Sequence, residues 1–491
     1  MSKLYVFSIG GTGVRVIKSL TMLLAAGVDT NGFSIVPIII DPDAAAADLT
    51  RTVGLLKNYQ AIREHVPLGT NTENKFFKTE ISELTNSFRM ELQNTTNTKF
   101  EDYIEHSLMT DQNGSLNANH ALASMLFSEK NLKGNMDVGF KGNPNVGSVV
   151  LNQFVANTDF NSFIADFQPN DRIFIISSIF GGTGASGFPL LLKNLRNIDP
   201  NNRNSQLIKD SAIGALTVLP YFEIATDTTS DINSSTFMSK TKAALSYYEK
   251  NVSGNQSVNA LYYLGDTDSN KQYANHEGGV NQRNDAHLIE LVGALSILDF
   301  ASLDGAATQT TNGKATSPIY KEYGLANNSS NANLTDLGVR TQKQLKRNLM
   351  QLHFFFRYIT EQLNDSKDQR WTKSGAKGGK IIDDAFFSSN FFSSDLANFI
   401  KGYDQWLKEM SNNVRGFAPF ELNAVTADIF ESVKGIKPTK GGLFSRKGYS
   451  YFDTTLNKMA DDTSKAISAE AYFVELFYKT TKHITENKFN I

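Results

Sequence analysis

The chain has 491 residues, with 48 Lys and Arg against 50 Asp and Glu and a formal net charge of −2. This balance argues against a basic nucleic-acid-binding surface, and we predict no nucleic-acid partner. The absence of cysteine excludes disulfides, thiolate metal sites and a cysteine nucleophile. A hydrophobic content of 40%, without an apolar run of about 20 residues, predicts a globular cytoplasmic protein that has no transmembrane segment.

The first elements form one βαβ unit. Residues 4–9 are a short apolar run that ends in the turn Gly10-Gly11-Thr12-Gly13, and apolar residues then recur at helical spacing. Residues 34–40 are a β-branched run that stops at Asp41 and Asp43. A strand, a glycine turn, a helix and a second strand in this order are typical of a parallel sheet.

Residues 51–135 interrupt this pattern. They are more polar than their surroundings and contain no apolar strand run. Phe77, Ile81, Leu84 and Phe88 fit one helical face, which predicts a mostly helical insertion.

The sheet pattern returns after the insertion. Further strands are predicted at 172–179, 212–219 and 260–264, and the first of them ends in a second Gly-Gly-Thr-Gly turn, Gly181 to Gly184. Residues 285–300 are apolar nearly all round, which predicts a buried helix that is too long for a strand.

The last third of the chain changes composition. Gly, Ala, Ser, Thr and Asn dominate the segment 304–340, which predicts a loop or linker. Helical periodicity follows around 345–363, 396–410 and 466–484. The predicted organisation is an α/β domain over 1–303 that carries the insertion, the linker 304–340 and a helix-rich C-terminal domain over 341–491.

The two glycine turns carry the chemical signal. Glycine lets a phosphate approach the backbone, and the helix that follows offers unpaired N–H groups and a partial positive charge. Both turns follow strands of one parallel sheet, so both are expected at its carboxyl edge, where ligands of such sheets bind.

Other phosphate and hydrolase motifs do not fit these turns. Residues 182–187 have the glycine spacing of a Walker A loop, but Phe188 replaces the required Lys. Residues 184–188 lack the last glycine of a nucleophile elbow. Residues 11–16 lack the third small residue of a dinucleotide fingerprint, although Asp41 stands where a ribose-binding acid is expected.

Five segments resemble the tubulin/FtsZ family, in the order that the family has them. Residues 180–189 resemble its signature GGGTG[ST]G, with Phe180 and Ser186 in place of two glycines. The others are 9–13, similar to the first phosphate loop; 41–46, similar to NTDAQA; 142–147, similar to GNPEVG; and 220–223, similar to PFxFE of the sugar-binding loop. The resemblance covers residues 3–300 and indicates a divergent bacterial tubulin-like protein.

The resemblance implies a fold and a nucleotide site. The fold is a GTP-binding parallel sheet with helices on both faces and a long central helix, followed by the helical C-terminal domain. The cofactors are GTP or GDP with Mg²⁺ that the nucleotide carries, because no metal cluster of the chain's own is evident. The implied nucleotide-binding residues are Gly10, Gly11, Thr12, Gly13, Asp41, Asp43, Gly142, Asn143, Gly181, Gly182, Thr183, Gly184, Ala185, Glu223, Asn284 and Asp285.

Within that set the resemblance implies different roles. Gly142 and Asn143 would sense the γ-phosphate, Glu223 would meet the ribose, and Asn284 or Asp285 would face the base. Asn284 and Asp285 equally fit a cap of the long helix, because Asn and Asp are favoured there.

The catalytic acids are the weakest part of the resemblance. The family's acid loop, GxxNxDxxD, has no clear copy, although residues 324–327 keep its GxxN half. Asp299 and Asp304 lie in a segment that resembles FtsZ NVDFAD and are the candidate catalytic acids, with a plain helix end as the alternative. Whether the chain is a GTPase therefore stays open.

Three functions follow from these patterns. The first is a tubulin-like protein that binds GTP, self-assembles head to tail into filaments and couples GTP hydrolysis to assembly. The second is a non-polymerising, GTP-dependent switch that recruits a protein partner through residues 51–135 or the C-terminal domain. The third is a Rossmann-type dinucleotide-dependent oxidoreductase that uses Asp41.

Overall fold

The computed structural model describes residues 1–66, 72–137, 139–140, 142–225, 234–266, 272–273, 279–323, 331–373, 381–422, 428–439, 447–463 and 468–491. Its strands are β1 (Lys3–Ile9), β2 (Ser34–Ile40), β3 (Arg172–Ser178), β4 (Ile213–Val218), β5 (Glu223–Ile224), β6 (Ala260–Leu264), β7 (Gln272–Tyr273), β8 (Thr310–Thr311), β9 (Lys314–Ala315), β10 (Ile319–Glu322), β11 (Asn331–Ala332) and β12 (Gly416–Phe417).

The α-helices alternate with these strands in the first half of the chain and dominate the second. They are α1 (Gly10–Ala25), α2 (Ala47–Glu64), α3 (Phe100–Tyr103), α4 (Ala118–Leu126), α5 (Glu129–Leu132), α6 (Pro144–Leu151), α7 (Thr158–Asp166), α8 (Gly182–Arg196), α9 (Ser205–Lys209), α10 (Ser234–Tyr248), α11 (Leu288–Ala301), α12 (Val339–Glu361), α13 (Asp384–Ser388), α14 (Ala397–Ser411), α15 (Gly448–Asp462) and α16 (Ala469–Phe489).

Six strands form one parallel sheet in the order β10-β6-β4-β3-β1-β2. Its central strands are buried on both faces, as their continuous apolar runs predicted. The predicted α/β fold class is therefore confirmed, and the predicted strands at 4–9, 34–40, 172–179, 212–219 and 260–264 are all present.

Helices cover both faces of this sheet. Ser8, Ile176 and Leu216 lie in one row across β1, β3 and β4, and a Cβ on Gly293 of α11 would meet Leu216 at 2.9 Å and Val16 of α1 at 3.0 Å. Ile9 points to the other face, where a Cβ on Gly187 of α8 would meet it at 2.8 Å. Since successive strand residues face opposite sides, α1 and α11 lie on one face and α8 on the other.

The prediction of a mostly helical insertion over 51–135 is wrong. After α2 the chain runs alongside β2 in irregular backbone, with parallel bridges from Ile35 to Ile81 and from Ile39 to Arg89. The buried residues at 77, 81 and 88 therefore face the core from irregular backbone, and their spacing only imitates that of a helix. In the described part of this region, helices account for fewer than half of the residues.

The segment 304–340 also differs from the predicted loop. It contributes β10, which pairs with β6 and completes the sheet at its edge. The strand reads Ile-Tyr-Lys-Glu and is half-buried, so it lacks the apolar run that marks the central strands.

The C-terminal helices pack on α1 and α2. Trp406 of α14 donates a hydrogen bond from Nε1 to Ser19 Oγ at 3.1 Å, and the ring of Phe399 contacts the ring of Tyr59 in α2. The predicted helices around 345–363, 396–410 and 466–484 are confirmed as α12, α14 and α16. None of the helices in the described part of the chain combines the length and apolar character that a membrane span requires.

Candidate functional site

The first glycine turn opens directly into a helix. Gly10, which follows β1, has φ of +77°, a conformation that glycine adopts without strain. The helix α1 begins at this residue, no side chain caps its start within the described structure, and its first turn carries no acidic residue. The first N–H groups of α1 are therefore left for another acceptor.

The second turn repeats this arrangement after β3. The helix α8 begins at Gly182 without a side-chain cap and without an acid in its first turn, again within the described residues. A Cβ on Gly184 would lie 2.7 Å from the Ser178 carbonyl oxygen, so only glycine fits where this turn folds back onto its strand.

A third helix start meets the first two. Gly142 has φ of +72°, and α6 begins at Pro144, likewise with no side-chain cap or first-turn acid in the described chain. A Cβ on Gly182 would lie 3.1 Å from the backbone N of Gly142, and one on Gly10 would lie 3.5 Å from the backbone N of Gly184. The three loops therefore contact one another, and three helix N-termini converge.

These loops line a cavity at the carboxyl edge of the sheet. The predicted site residues that line it are Gly10, Gly11, Thr12, Asp41, Asp43, Gly142, Gly181, Gly182, Thr183, Gly184 and Asn284. The strand order reverses between β1 and β3, and the two Gly-Gly-Thr-Gly turns follow these two strands. The cavity thus lies at the topological switch point, where open α/β sheets bind ligands.

Five predicted site residues do not line the cavity. They are Gly13, Asn143, Ala185, Glu223 and Asp285. Gly13 packs against Ser8, where a Cβ would be 2.7 Å from the hydroxyl oxygen. Glu223 lies in the short strand β5, and its neighbour Phe222 lines the cavity instead.

Two carboxylates close the β2 side of the cavity. Asp41 Oδ1 accepts a hydrogen bond from the Asp43 backbone N at 3.0 Å, and Asp43 Oδ2 accepts one from the Gly279 backbone N at 2.6 Å. Burial raises the pKa of Asp41 to about 7, and the Asp43 N–H offsets part of that rise. Asp41 is therefore poised to change its charge near neutral pH.

A buried arginine is a cavity residue that the sequence analysis missed. Arg15 lines the cavity, and its Nε donates to Glu290 Oε1 at 2.6 Å while Nη2 donates to the Tyr221 hydroxyl at 2.7 Å. Its Nη1 pairs with Asp48 Oδ2 at 3.1 Å. Burial alone would lower the pKa of Arg15, but Tyr221, Glu290 and Asp48 raise it well above its usual value. A fixed cation thus faces the glycine loops.

A second cation lies at the third loop. Lys240 of α10 donates from Nζ to the Gly142 carbonyl oxygen at 2.5 Å. Lys240 stands far from any glycine motif in the sequence, so the sequence does not predict its position at this loop.

The sequence does carry a weak signal for Arg15, because a charged residue on the buried face of α1 needs a buried partner.

The cap alternative for Asn284 and Asp285 is wrong. The helix α11 begins at Leu288, and His287 is its N-cap, accepting from the Ile289 N–H at 3.0 Å while Glu290 accepts from the His287 N–H at 3.1 Å. Asn284 is free of that role and lines the cavity.

The two candidate catalytic acids lie at the far end of α11. Asp299 accepts hydrogen bonds from the Tyr262 hydroxyl at 2.6 Å and from Lys321 Nζ at 2.5 Å, so it fastens β6 and β10 to the helix. Asp304 is exposed just beyond the helix end. The GxxN segment 324–327 lies outside the described residues. No cluster of three or more His, Asp and Glu in the described chain could hold a metal ion.

Comparisons with known proteins give matches among solved structures. A scan against protein-family models gives no match, and neither does a search of curated proteins. Among solved structures, the chain is similar to CetZ2 of Haloferax volcanii as a GTPγS-bound protofilament, with 13% identity, a TM-score of 0.28 and 62% of this chain covered. It is also similar to CetZ1 of the same organism as a GDP-bound monomer, with 13% identity, a TM-score of 0.31 and the same 62% covered.

A third similar structure is the helical two-stranded filament of TubZ-Bt, with 11% identity, a TM-score of 0.25, and 85% of this chain and 80% of that chain covered. The match spans 61% of the length of each CetZ chain. All three belong to the tubulin/FtsZ family that the sequence motifs indicated. The function proposed below rests on the residues of this chain.

Proposed function

We propose that this chain is a tubulin/FtsZ-like protein that binds GTP or GDP in the cavity at the carboxyl edge of its sheet. The observation that carries the proposal is the convergence of α1, α6 and α8, whose uncapped N-termini meet at one cavity in the described structure. Each N-terminus offers backbone N–H donors and about half a positive charge, so three together favour a polyphosphate.

The cavity also has groups for the rest of a nucleotide. Arg15 places a guanidinium beside the glycine loops, with its charge balanced by Asp48 and Glu290, so the phosphates are left to the backbone N–H groups. Asp41, Asp43 and Thr12 offer oxygen atoms of the kind that Mg²⁺ prefers, and Mg²⁺ would neutralise phosphate charge. Ala46, Leu49 and Asn284 form a partly apolar wall that suits a base with polar edges.

The same site argues against the oxidoreductase alternative. In sequence order the six sheet strands are arranged 2-1-3-4-5-6, whereas the dinucleotide-binding fold has the order 3-2-1-4-5-6. The second glycine turn and the third loop would also have no role in binding a dinucleotide across the first βαβ unit.

The position of the candidate acid Asp304, at the far end of α11 from the cavity, supports head-to-tail assembly. The helix α11 has 14 residues and so spans about 20 Å, with its start beside the cavity and Asp304 beyond its end. Asp304 therefore cannot reach the cavity of its own chain, and in the head-to-tail assembly that we propose it would face the cavity of the next copy. A head-to-tail interface whose rotation does not close gives an open filament. Asp304 is our candidate for the acid that positions the attacking water.

Sedimentation with GTP, GDP, NAD or no nucleotide, with released phosphate measured in the same tubes, tests the proposal. We expect filaments and phosphate release with GTP only. Asp304→Asn should keep nucleotide binding and sedimentation but lose most phosphate release. A wild-type chain that binds neither GTP nor GDP in equilibrium dialysis would overturn the proposal.

Gly11→Asp tests the phosphate site itself. A Cβ at Gly11 meets only Arg15 Nη1, at 3.6 Å, so the backbone accepts a side chain there, unlike at Gly184. The new carboxylate would occupy the helix start and repel phosphate, and we expect binding to fall roughly 100-fold or more. Gly54→Asp is the matched control, because Gly54 is exposed on α2 with open space around it.

The non-polymerising switch is the second candidate. Asp299 is committed to Tyr262 and Lys321, which leaves one exposed candidate acid. Exposed Leu122, Met125 and Leu126 on α4 suit a protein partner for the 51–135 region. GTP binding without sedimentation or phosphate release would favour this function.

A further inference from the structure

A network of buried ion pairs lies behind the cavity. Two of its members, Arg15 and Asp48, line the cavity and pair with each other at 3.1 Å. Arg51 of α2 pairs with Asp48, and its Nη1 also pairs with Glu409 Oε1 at 2.6 Å. Lys18 of α1 pairs with Glu409 Oε2 at 3.0 Å. The network thus runs from the cavity wall to a residue of the C-terminal helix α14.

Glu409 is the point where this network meets the C-terminal region. It is 6% exposed and accepts from the Ala286 backbone N at 3.1 Å in addition to Lys18 and Arg51. Burial alone would raise the pKa of Glu409, but Lys18 and Arg51 lower it to about 2, so the carboxylate is charged at neutral pH.

The backbone that carries Asn284 is held from two sides. On one side, Arg51 Nη2 donates to the Asn284 carbonyl oxygen at 3.3 Å, and the Asn284 N donates to Asp48 Oδ2 at 3.3 Å. On the other side, Glu409 and Asn413 bind the backbone N and O of Ala286, at 3.1 and 2.5 Å. The cavity residue Asn284 therefore lies between α2 and the end of α14.

Loss of the Glu409 charge would disturb this wall. Lys18 is 7% exposed and would remain as a buried, uncompensated cation. Arg51 would keep Asp48 as its carboxylate partner and draw it away from Arg15. Asn284 and Asp48 would lose their fixed positions, while Arg15 would keep Glu290 and Tyr221 as partners, and the glycine loops, built from backbone, would keep their positions.

We propose that Glu409 is a positioning residue of the nucleotide pocket, holding Asn284 and Asp48 in the cavity wall from the C-terminal helix. This rests on the proposed function, since Asn284 is assigned to the nucleoside and the glycine loops to the phosphates. It makes recognition of the nucleoside, but not of the phosphates, dependent on where α14 lies.

The test compares two ligands that share phosphates. Dissociation constants of GDP and pyrophosphate are measured for the wild type and for Glu409→Gln, with thermal unfolding of the same samples. We expect GDP to bind roughly three- to thirtyfold more weakly, as is typical of coupled neighbours, and pyrophosphate to bind as before. A purely structural role, or a simple change in cavity charge, would leave the ratio of the two constants unchanged.

Glu475→Gln is the matched control. Glu475 is also 6% exposed and pairs with Lys479 on α16, away from the cavity. It should lower stability without changing either constant. If Glu409→Gln does not fold, Asn413→Ala removes the other contact to Ala286 and should shift the ratio in the same direction.

The outcomes separate the two proposals. A wild-type chain that binds GDP, with a ratio unchanged in Glu409→Gln and in Asn413→Ala, overturns the positioning role alone. A wild-type chain without affinity for GDP overturns the proposed function and this inference with it.

Discussion

The two ends of the parallel sheet both pair their side-chain charges but differ in the backbone donors that they leave at helix starts. At the amino end, charged groups satisfy one another: Asp299 binds Tyr262 and Lys321, and Arg172 donates to the Phe300 carbonyl oxygen at 3.0 Å. At the carboxyl end, three helices begin without side-chain caps in the described structure. The polar contacts at the amino end therefore stabilise the fold, whereas the carboxyl end keeps backbone N–H donors for a ligand.

The largest expected effect is ligand-linked stabilisation at the carboxyl end. GDP at 100 times its dissociation constant should raise the free energy of unfolding by about 2.7 kcal/mol, because it binds only the folded state. At the same GDP concentration, Asp299→Asn should show the same increment and Gly11→Asp should show at most about 0.4 kcal/mol, as measured by thermal unfolding with and without GDP. An increment that survives in Gly11→Asp would place the ligand elsewhere.

The second-largest expected effect is a loss of stability at the amino end of the sheet, without a change in ligand binding. Asp299→Asn removes a carboxylate that accepts from Tyr262 and Lys321, and we expect a loss of about 2 kcal/mol in the free energy of unfolding, typical of hydrogen bonds to charged groups. Urea titration measures this loss. The dissociation constant for GDP should stay at the wild-type value, and a clear change in it would mean that the two ends are coupled.

The smallest expected effect is a pH dependence of GDP affinity at the carboxyl end of the sheet. Asp41, with a pKa of about 7, is neutral below that pH and negative above it. Its charge repels an anion, so metal-free affinity for GDP should fall as pH rises through 7, by at most about tenfold per pH unit. The Asp41→Asn variant should lack this component. Equal pH profiles for the two proteins, measured from pH 6 to 8, would contradict the role of Asp41.

The sequence was sufficient to predict the centre of the sheet. Continuous β-branched runs such as residues 34–40 belong to strands buried on both faces, and glycine turns mark where such strands lead into helices. The sequence does not mark the edge strand β10, because two of its four residues are exposed, two are charged and none is fully buried. The irregular segment with Phe77, Ile81 and Phe88 imitates a helix in sequence, because these buried residues lie four and seven positions apart.

The candidate site likewise has parts that the sequence predicts and parts that it does not. Its backbone parts could be predicted, because glycine is required wherever the chain folds tightly beneath a ligand. Its charged parts could not, because Arg15 and Glu290 lie 275 residues apart and only the folded chain brings them together. The sequence signal for them is the presence of a few charges, Arg15 and Lys18 in α1 and Glu290 in α11, inside largely apolar helical stretches.

The pair of Lys18 and Glu409 has a consequence for synthesis of the chain. The two residues are 391 positions apart, so a ribosome that adds about 5–20 residues per second delivers Glu409 roughly 20–80 s after Lys18. Until then Lys18 of α1 lacks its carboxylate partner, and Ser19 lacks the hydrogen bond from Trp406. We therefore expect the nascent sheet to stay loosely packed until α14 emerges, and a fragment that ends at residue 303 to be a poor substitute for the whole protein.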